Sequence, residues 1–109
     1  MIRVHLARDA SGTVVHFWVS GHAGYDKHGQ DIVCAAISVL SQATVLGLEQ
    51  VAKQVGTSRI RDGYLEWQTE QMVNTQAKAI LETMVLGVQD IATSFPKHVM
   101  LIETKEEPS

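Results

Sequence analysis

Ile2, Val4 and Leu6 alternate with Arg3, His5 and Ala7, the period-two pattern of a strand with one buried face. Asp9-Ala10-Ser11-Gly12 supplies turn residues, and 13–20 is rich in β-branched and aromatic residues, so this region predicts an antiparallel hairpin. Gly21 breaks the second strand. From residue 32 to about 54 the pattern becomes helical, and Val33, Ile37, Leu40, Ala43, Val45, Leu46, Leu48 and Val51 cover more than one stripe. That helix is expected to end with Lys53 in its last turn and Gly56 at or near the left-handed closing position. Its wide apolar surface places it at the centre of the core or against a partner subunit. Residues 58–61 and 64–69 flank Asp62-Gly63, a strong two-residue turn signal, and predict a second hairpin. Asn74 is placed to cap a helix over 75–94, where Ala77, Ile80, Leu81, Met84, Val85, Val88, Ile91, Ala92 and Phe95 form one stripe and Pro96 is the stop. A short apolar strand follows at 99–102, and the polar residues from Glu103 to Ser109 are expected to fray. The order ββαββαβ predicts an α+β fold, a largely antiparallel sheet packed against two helices. One domain is expected over 1–103, with a polar tail at 104–109.

Composition narrows the class. The 109 residues carry a net charge of −3 with 45% hydrophobic and 19% charged residues. No basic face is signalled, so direct nucleic-acid binding is not expected. A single cysteine, Cys34, excludes an internal disulfide framework and a Cys-rich zinc site. Ser38, Ser41, Gln42 and Thr44 interrupt the longest apolar stretch, which reads as too polar for a membrane span. The opening residues read as a strand without signal-peptide anatomy, and a cytoplasmic location is the expectation.

The candidate chemistry lies in residues 21–36, where Gly21, His22, Gly24, Asp26, His28, Gly29, Asp31 and Cys34 crowd together. Asp31 directly precedes an apolar run and reads as the helix N-cap, which would put Cys34 at the third helical position among unpaired amides. A helix start and a nearby imidazole both lower a thiol's pKa, and His22 is the obvious imidazole. In the functional reading Cys34 attacks a carbonyl carbon and His22 protonates the leaving amine. The amide of Cys34 would face the oxyanion, and Asp31 would cap the helix or orient His22. Ser38 lies one turn after Cys34 on the same face, where a back-bond to a carbonyl one turn earlier is its plainer fate. Gly21, Ala23, Gly24, Tyr25 and Gly29 would form a flexible substrate loop.

Plainer readings stand beside this one. Free cysteine is often a small buried hydrophobe, and the glycines can simply satisfy turn conformations. A zinc site of His22, His28 and Cys34 has intervals that match no common ligand pattern. A phosphate cradle lacks both familiar glycine-rich motifs. His5 and His16 read as surface or satisfied core residues, and Trp18 and Trp67 as core or interface. Neither metal nor cofactor is expected.

Gly21-His22-Ala23, the glycine loop after it, and Gly29, Asp31-Ile32-Val33-Cys34-Ala35-Ala36 and Ser38 together resemble the signature of the ribosomal-processing cysteine protease Prp family. The resemblance extends along the whole chain, including the Asp-Gly hairpin after the first helix. It implies a small homodimeric cysteine endopeptidase. Its substrate would be the precursor of the large-subunit ribosomal protein numbered twenty-seven, trimmed of a short N-terminal extension during ribosome maturation. The family's catalytic pair falls on His22 and Cys34, its acidic position on Asp31, and Ser38 lies within the signature. An apolar groove beside Cys34 and an ordering loop at 21–30 are further implications. The alternative from another class is a ribosome-associated module that binds the same extended peptide without cutting it.

Overall fold

The alternating residues of the first hairpin form the middle of a five-stranded sheet. The computed structural model describes residues 1–21 and 28–106, and the backbone alone over 28–31. Its strands are β1 (Ile2–Arg8), β2 (Val14–Ser20), β3 (Thr57–Arg61), β4 (Tyr64–Gln68) and β5 (Val99–Lys105), in the spatial order β3-β4-β2-β1-β5. All neighbours are antiparallel except β1 and β5, which run parallel. Helices α1 (His28–Leu46) and α2 (Thr75–Ser94) cover one face, so the α+β expectation and the ββαββαβ order hold.

The helix-covered face holds the core. Ile2, Val4 and Leu6 of β1, Val14 and Phe17 of β2, and Leu65 and Trp67 of β4 pack with Val33, Ile37, Val45 and Leu48 of the first helical segment and Leu81, Met84, Val85 and Val88 of α2. Each such side chain removed from water contributes roughly 1.5–3 kcal/mol. The opposite face stays open and carries a different row. His5 stacks on Trp18 at 4.5 Å and 3°, His16 meets the same indole at 4.5 Å, and His16 Nε2 lies 2.7 Å from Glu66 Oε2. Both histidines thus have partners, and Trp67 is core.

Several element ends depart from the sequence pattern. α1 begins at His28, one turn before the expected start, so Asp31 sits inside the helix rather than at its cap. Negative charge is favourable throughout the first turn as well as at the cap, so an aspartate locates a helix start only to within a turn. The far end does not run on to 54 as α-helix. A single π-helical turn, Gly47–Val51, follows α1, and Lys53 takes the left-handed position with φ 52°. The amides of Ala52 and Gln54 close this end on the carbonyls of Gly47 and Leu48, at 2.9 Å each. Gly56, expected at the closure, has another role: a Cβ there would lie 2.7 Å from the Trp67 indole nitrogen. β5 also outruns its apolar residues, since Thr104 and Lys105 pair with Ala7 and Arg8, and the Glu106 amide donates to the Arg8 carbonyl at 2.7 Å. Ladder hydrogen bonding, which hydropathy does not register, carries the strand past the expected boundary at 103.

α2 is as expected. Asn74 caps it, its side-chain oxygen accepting from the Ala77 amide at 2.8 Å, while its Nδ2 donates to the Ala52 carbonyl at 2.9 Å. The buried Gln54 amide completes this junction: it donates to the carbonyls of Val55 and Met72, and it accepts from the Asn74 amide. The end of the first helical segment and the start of α2 are thereby locked together.

The segment Ile32–Val51 has a mean hydropathy of 1.7, apolar enough by length and composition to cross a bilayer, contrary to the reading from its interrupting polar residues. In this fold Val33, Ile37, Val45 and Leu48 of that segment are buried among core residues. Its polar residues are placed without disturbing the core, since Ser41 and Thr44 bond back to the carbonyls of Ile37 and Leu40.

Candidate active site

Cys34 is a free, half-buried thiol on α1 that touches the edge of the core. In a helix starting at His28 it is the seventh residue, so its amide is already paired one turn back. The expected third position, with an unpaired amide facing an oxyanion, is therefore not occupied by Cys34.

The thiol opens into a cavity of about 220 Å³. One wall is the α1 surface at Cys34, Ile37, Ser38, Ser41 and Gln42, positions that recur at helical spacing. The facing wall is the tip of the β3–β4 hairpin from Ile60 to Leu65, and the floor includes Ile2 and Val19. The expected groove beside Cys34 thus exists, apolar at its base and polar along its rim.

Ser38 lies in this wall, exposed, and accepts a hydrogen bond from Gln42 Nε2 at 2.9 Å. The back-bond foreseen for Ser38 is made by Ser41 instead, whose hydroxyl reaches the Ile37 carbonyl at 2.8 Å. Ser38 as an acceptor keeps its own hydroxyl proton available to the cavity. Across from it, burial and the neighbouring Glu66 carboxylate raise the Tyr64 phenol above its ordinary value, so it is a neutral hydrogen-bonding group at neutral pH.

Gly21 also lines the cavity, and its position is fixed from two sides. Its amide donates to the Gly63 carbonyl at 3.2 Å, and a Cβ on it would meet the Met1 carbonyl oxygen at 2.5 Å. With φ at 94° it adopts a conformation that only glycine takes without strain. His22, Ala23, Gly24 and Tyr25 lie outside the described residues, as does the side chain of Asp31. Gly29 belongs to the first turn of α1, so the loop ends sooner than expected.

Sequence reasoning missed the hairpin wall, because nothing local in Ile60–Leu65 announces proximity to Cys34. Gln42 was discoverable, since it lies eight residues after Cys34 and four after Ser38. Among the described residues no group of three or more His, Cys, Asp or Glu side chains is placed to hold a metal ion.

Known proteins are similar to this chain along nearly its whole length. The Ribosomal processing cysteine protease Prp of Staphylococcus aureus is 27% identical over 104 residues, covering 93% of this chain and 97% of that one. The protein of the same name from Bacillus subtilis is 25% identical, covering 87% and 90%. A crystal structure from Streptococcus mutans superimposes with a TM-score of 0.88 at 28% identity, covering 97% and 96%. The S. aureus protease with a covalently linked product peptide superimposes at 0.80 with 25% identity, covering 95% and 100%. The family model described as Cysteine protease Prp matches residues 1–100, and the chain belongs to that family.

Proposed function

We propose that this chain is a cytoplasmic cysteine endopeptidase that trims the N-terminal extension from the precursor of the large-subunit ribosomal protein numbered twenty-seven during ribosome maturation. The observation that carries the reading is the Cys34 thiol opening into a cavity between α1 and the β3–β4 hairpin, within a family of cysteine proteases. The relative solved with a covalently linked product peptide supports the same use of this fold.

In the proposed reaction the Cys34 sulfur, as thiolate, adds to the scissile carbonyl carbon, with His22 having taken the thiol proton. Collapse of the tetrahedral adduct breaks the C–N bond, and His22 returns that proton to the departing amine. Water then attacks the thioester, His22 again accepting a proton, and the released thiolate is restored. The oxyanion needs donors other than the helix-paired Cys34 amide. The Ser38 hydroxyl lines the same cavity and is suited to that auxiliary task. Asp31 is assigned to the first-turn environment of the dyad.

The homodimer is part of the proposal. Ile32, Val39 and Leu46 are 64%, 69% and 53% exposed at seven-residue spacing along α1, on a side distinct from the residues that line the cavity. A second copy would cover this stripe.

Mass spectrometry of the extended precursor after incubation with wild type and with Cys34→Ala tests the enzymatic reading. A single cut near the N-terminus that vanishes in the variant is the expected result. Precursor that stays intact with both proteins yet is retained in a pull-down would replace the protease with a peptide-binding module.

A further inference from the structure

The hairpin that walls the cavity is also one edge of the sheet. β3 pairs with β4 alone, and all five of its residues are exposed. Asp62-Gly63 connects Arg61 to Tyr64, so that flanking pair is a hydrogen-bonded one. Alternation along an antiparallel ladder then turns the amides and carbonyls of Thr57, Arg59 and Arg61 toward β4 and those of Ser58 and Ile60 outward. Among the described residues neither outward amide has a backbone partner.

This free edge runs past the π-helical turn that follows α1. At one end the Ser58 hydroxyl lies 3.4 Å from Glu49 Oε1. Two residues further on, Ile60 lines the cavity together with Gln42, Ser41, Ser38 and Cys34. The outward groups of β3 therefore run from that turn to the cavity that holds the thiol. The Ile60 side chain faces the same side of the sheet as its cross-strand partner Leu65, and it is 57% exposed. The opposite edge, β5, has no residue in the cavity.

We infer that the substrate peptide binds by strand addition, pairing its backbone with the outward amide and carbonyl of Ile60 and then of Ser58. This inference rests on the protease reading and adds how the substrate is held. Pairing at every second peptide residue recognises an extended chain without reading its side chains, and the alternate side chains enter the cavity. The requirement for a flexible, extended segment would select an N-terminal extension over a folded domain.

The test uses Cys34→Ala protein, a fluorescein-labelled precursor peptide, and peptides N-methylated at one backbone amide at a time. Strand addition predicts alternation: methylation at every second amide weakens binding on the order of tenfold, the worth of a well-formed hydrogen bond, while the amides between are tolerated. Ile60→Pro, which removes the outward donor at an edge position where proline is tolerated, should weaken binding by a similar factor. Ile60→Val, which trims the same cavity-lining side chain but keeps the amide, sets the side chain's own share, and the proline effect should exceed it. Equal effects at all amides, or full affinity in a folded Ile60→Pro protein, would overturn the inference. If Ile60→Pro does not fold, the methylation scan decides alone. Wild-type protein that neither binds nor cuts the unmodified peptide would sink the protease reading and the strand addition with it. Cutting without alternation would sink only the strand addition.

Discussion

The Gly21 amide and the Gly63 carbonyl meet at 3.2 Å, tying the last described residue before His22 to the turn that walls the Cys34 cavity. One backbone bond thus joins the chain segment that leads to the proposed base with the segment that shapes the pocket. Met1 closes the other side, leaving no room for a side chain on Gly21.

Gly21→Ala is expected to cost about 1–3 kcal/mol of stability, because alanine at φ 94° is strained and its Cβ collides with the Met1 carbonyl. Urea unfolding measures that cost. Cleavage assayed at a temperature where the variant remains folded should fall as well. Full activity in a destabilised variant would show that His22 finds its place independently of this anchor.

Cys34→Ala should leave the fold intact and abolish the reaction. The thiol is only half-buried and alanine is the strongest helix former, so stability should change by about 1 kcal/mol or less. Precursor cleavage should drop by at least about three orders of magnitude, as removal of a nucleophile does elsewhere. Residual cleavage near the wild-type rate would move the chemistry away from this residue.

Periodicity made the strands and helices legible, because Ile2, Val4 and Leu6 or Leu81, Val85 and Val88 need one burial environment and are spaced for it. The Cys34–Ser38 face was legible for the same reason. The Asp31 signal erred by a turn, since the macrodipole rewards an acid at several adjacent positions. The closing residue was missed because hydrogen bonds from Ala52 and Gln54 hold Lys53 at positive φ, a cost normally left to glycine. The hairpin wall and the Gln54–Asn74 lock were invisible for a deeper reason. Both join residues distant in sequence, and no local pattern encodes such a meeting.

Asn74→Ala removes two things at once. The Ala77 amide loses its cap and the Ala52 carbonyl loses its donor, so about 2 kcal/mol should be lost, at the upper end for a cap deletion. Asn74→Asp restores the cap oxygen without the donor and should recover part of the loss. Denaturation midpoints of the two variants separate the contributions.

Val39→Glu and Leu46→Glu place charges in the exposed α1 stripe, away from the cavity. On the homodimer proposal, light scattering coupled to size exclusion should change from a dimer mass to a monomer mass. The melting temperature of the variants should also lose its dependence on protein concentration. An unchanged mass would reassign the stripe.

His5 supplies a pH dependence with a definite sign. Burial, with help from the Arg3 charge, lowers its pKa below the ordinary value of about 6.5. The folded protein therefore takes up this proton less readily than the unfolded chain, and acid favours unfolding. The contribution is fully present above pH 6.5 or so and is lost as pH falls through the lowered folded value. His5→Phe keeps a ring against Trp18 and has nothing to titrate. Stability of wild type and variant, measured by urea unfolding from pH 7.5 down to 5, should therefore diverge, the wild type falling more steeply. Parallel curves would remove His5 from the acid response of this protein.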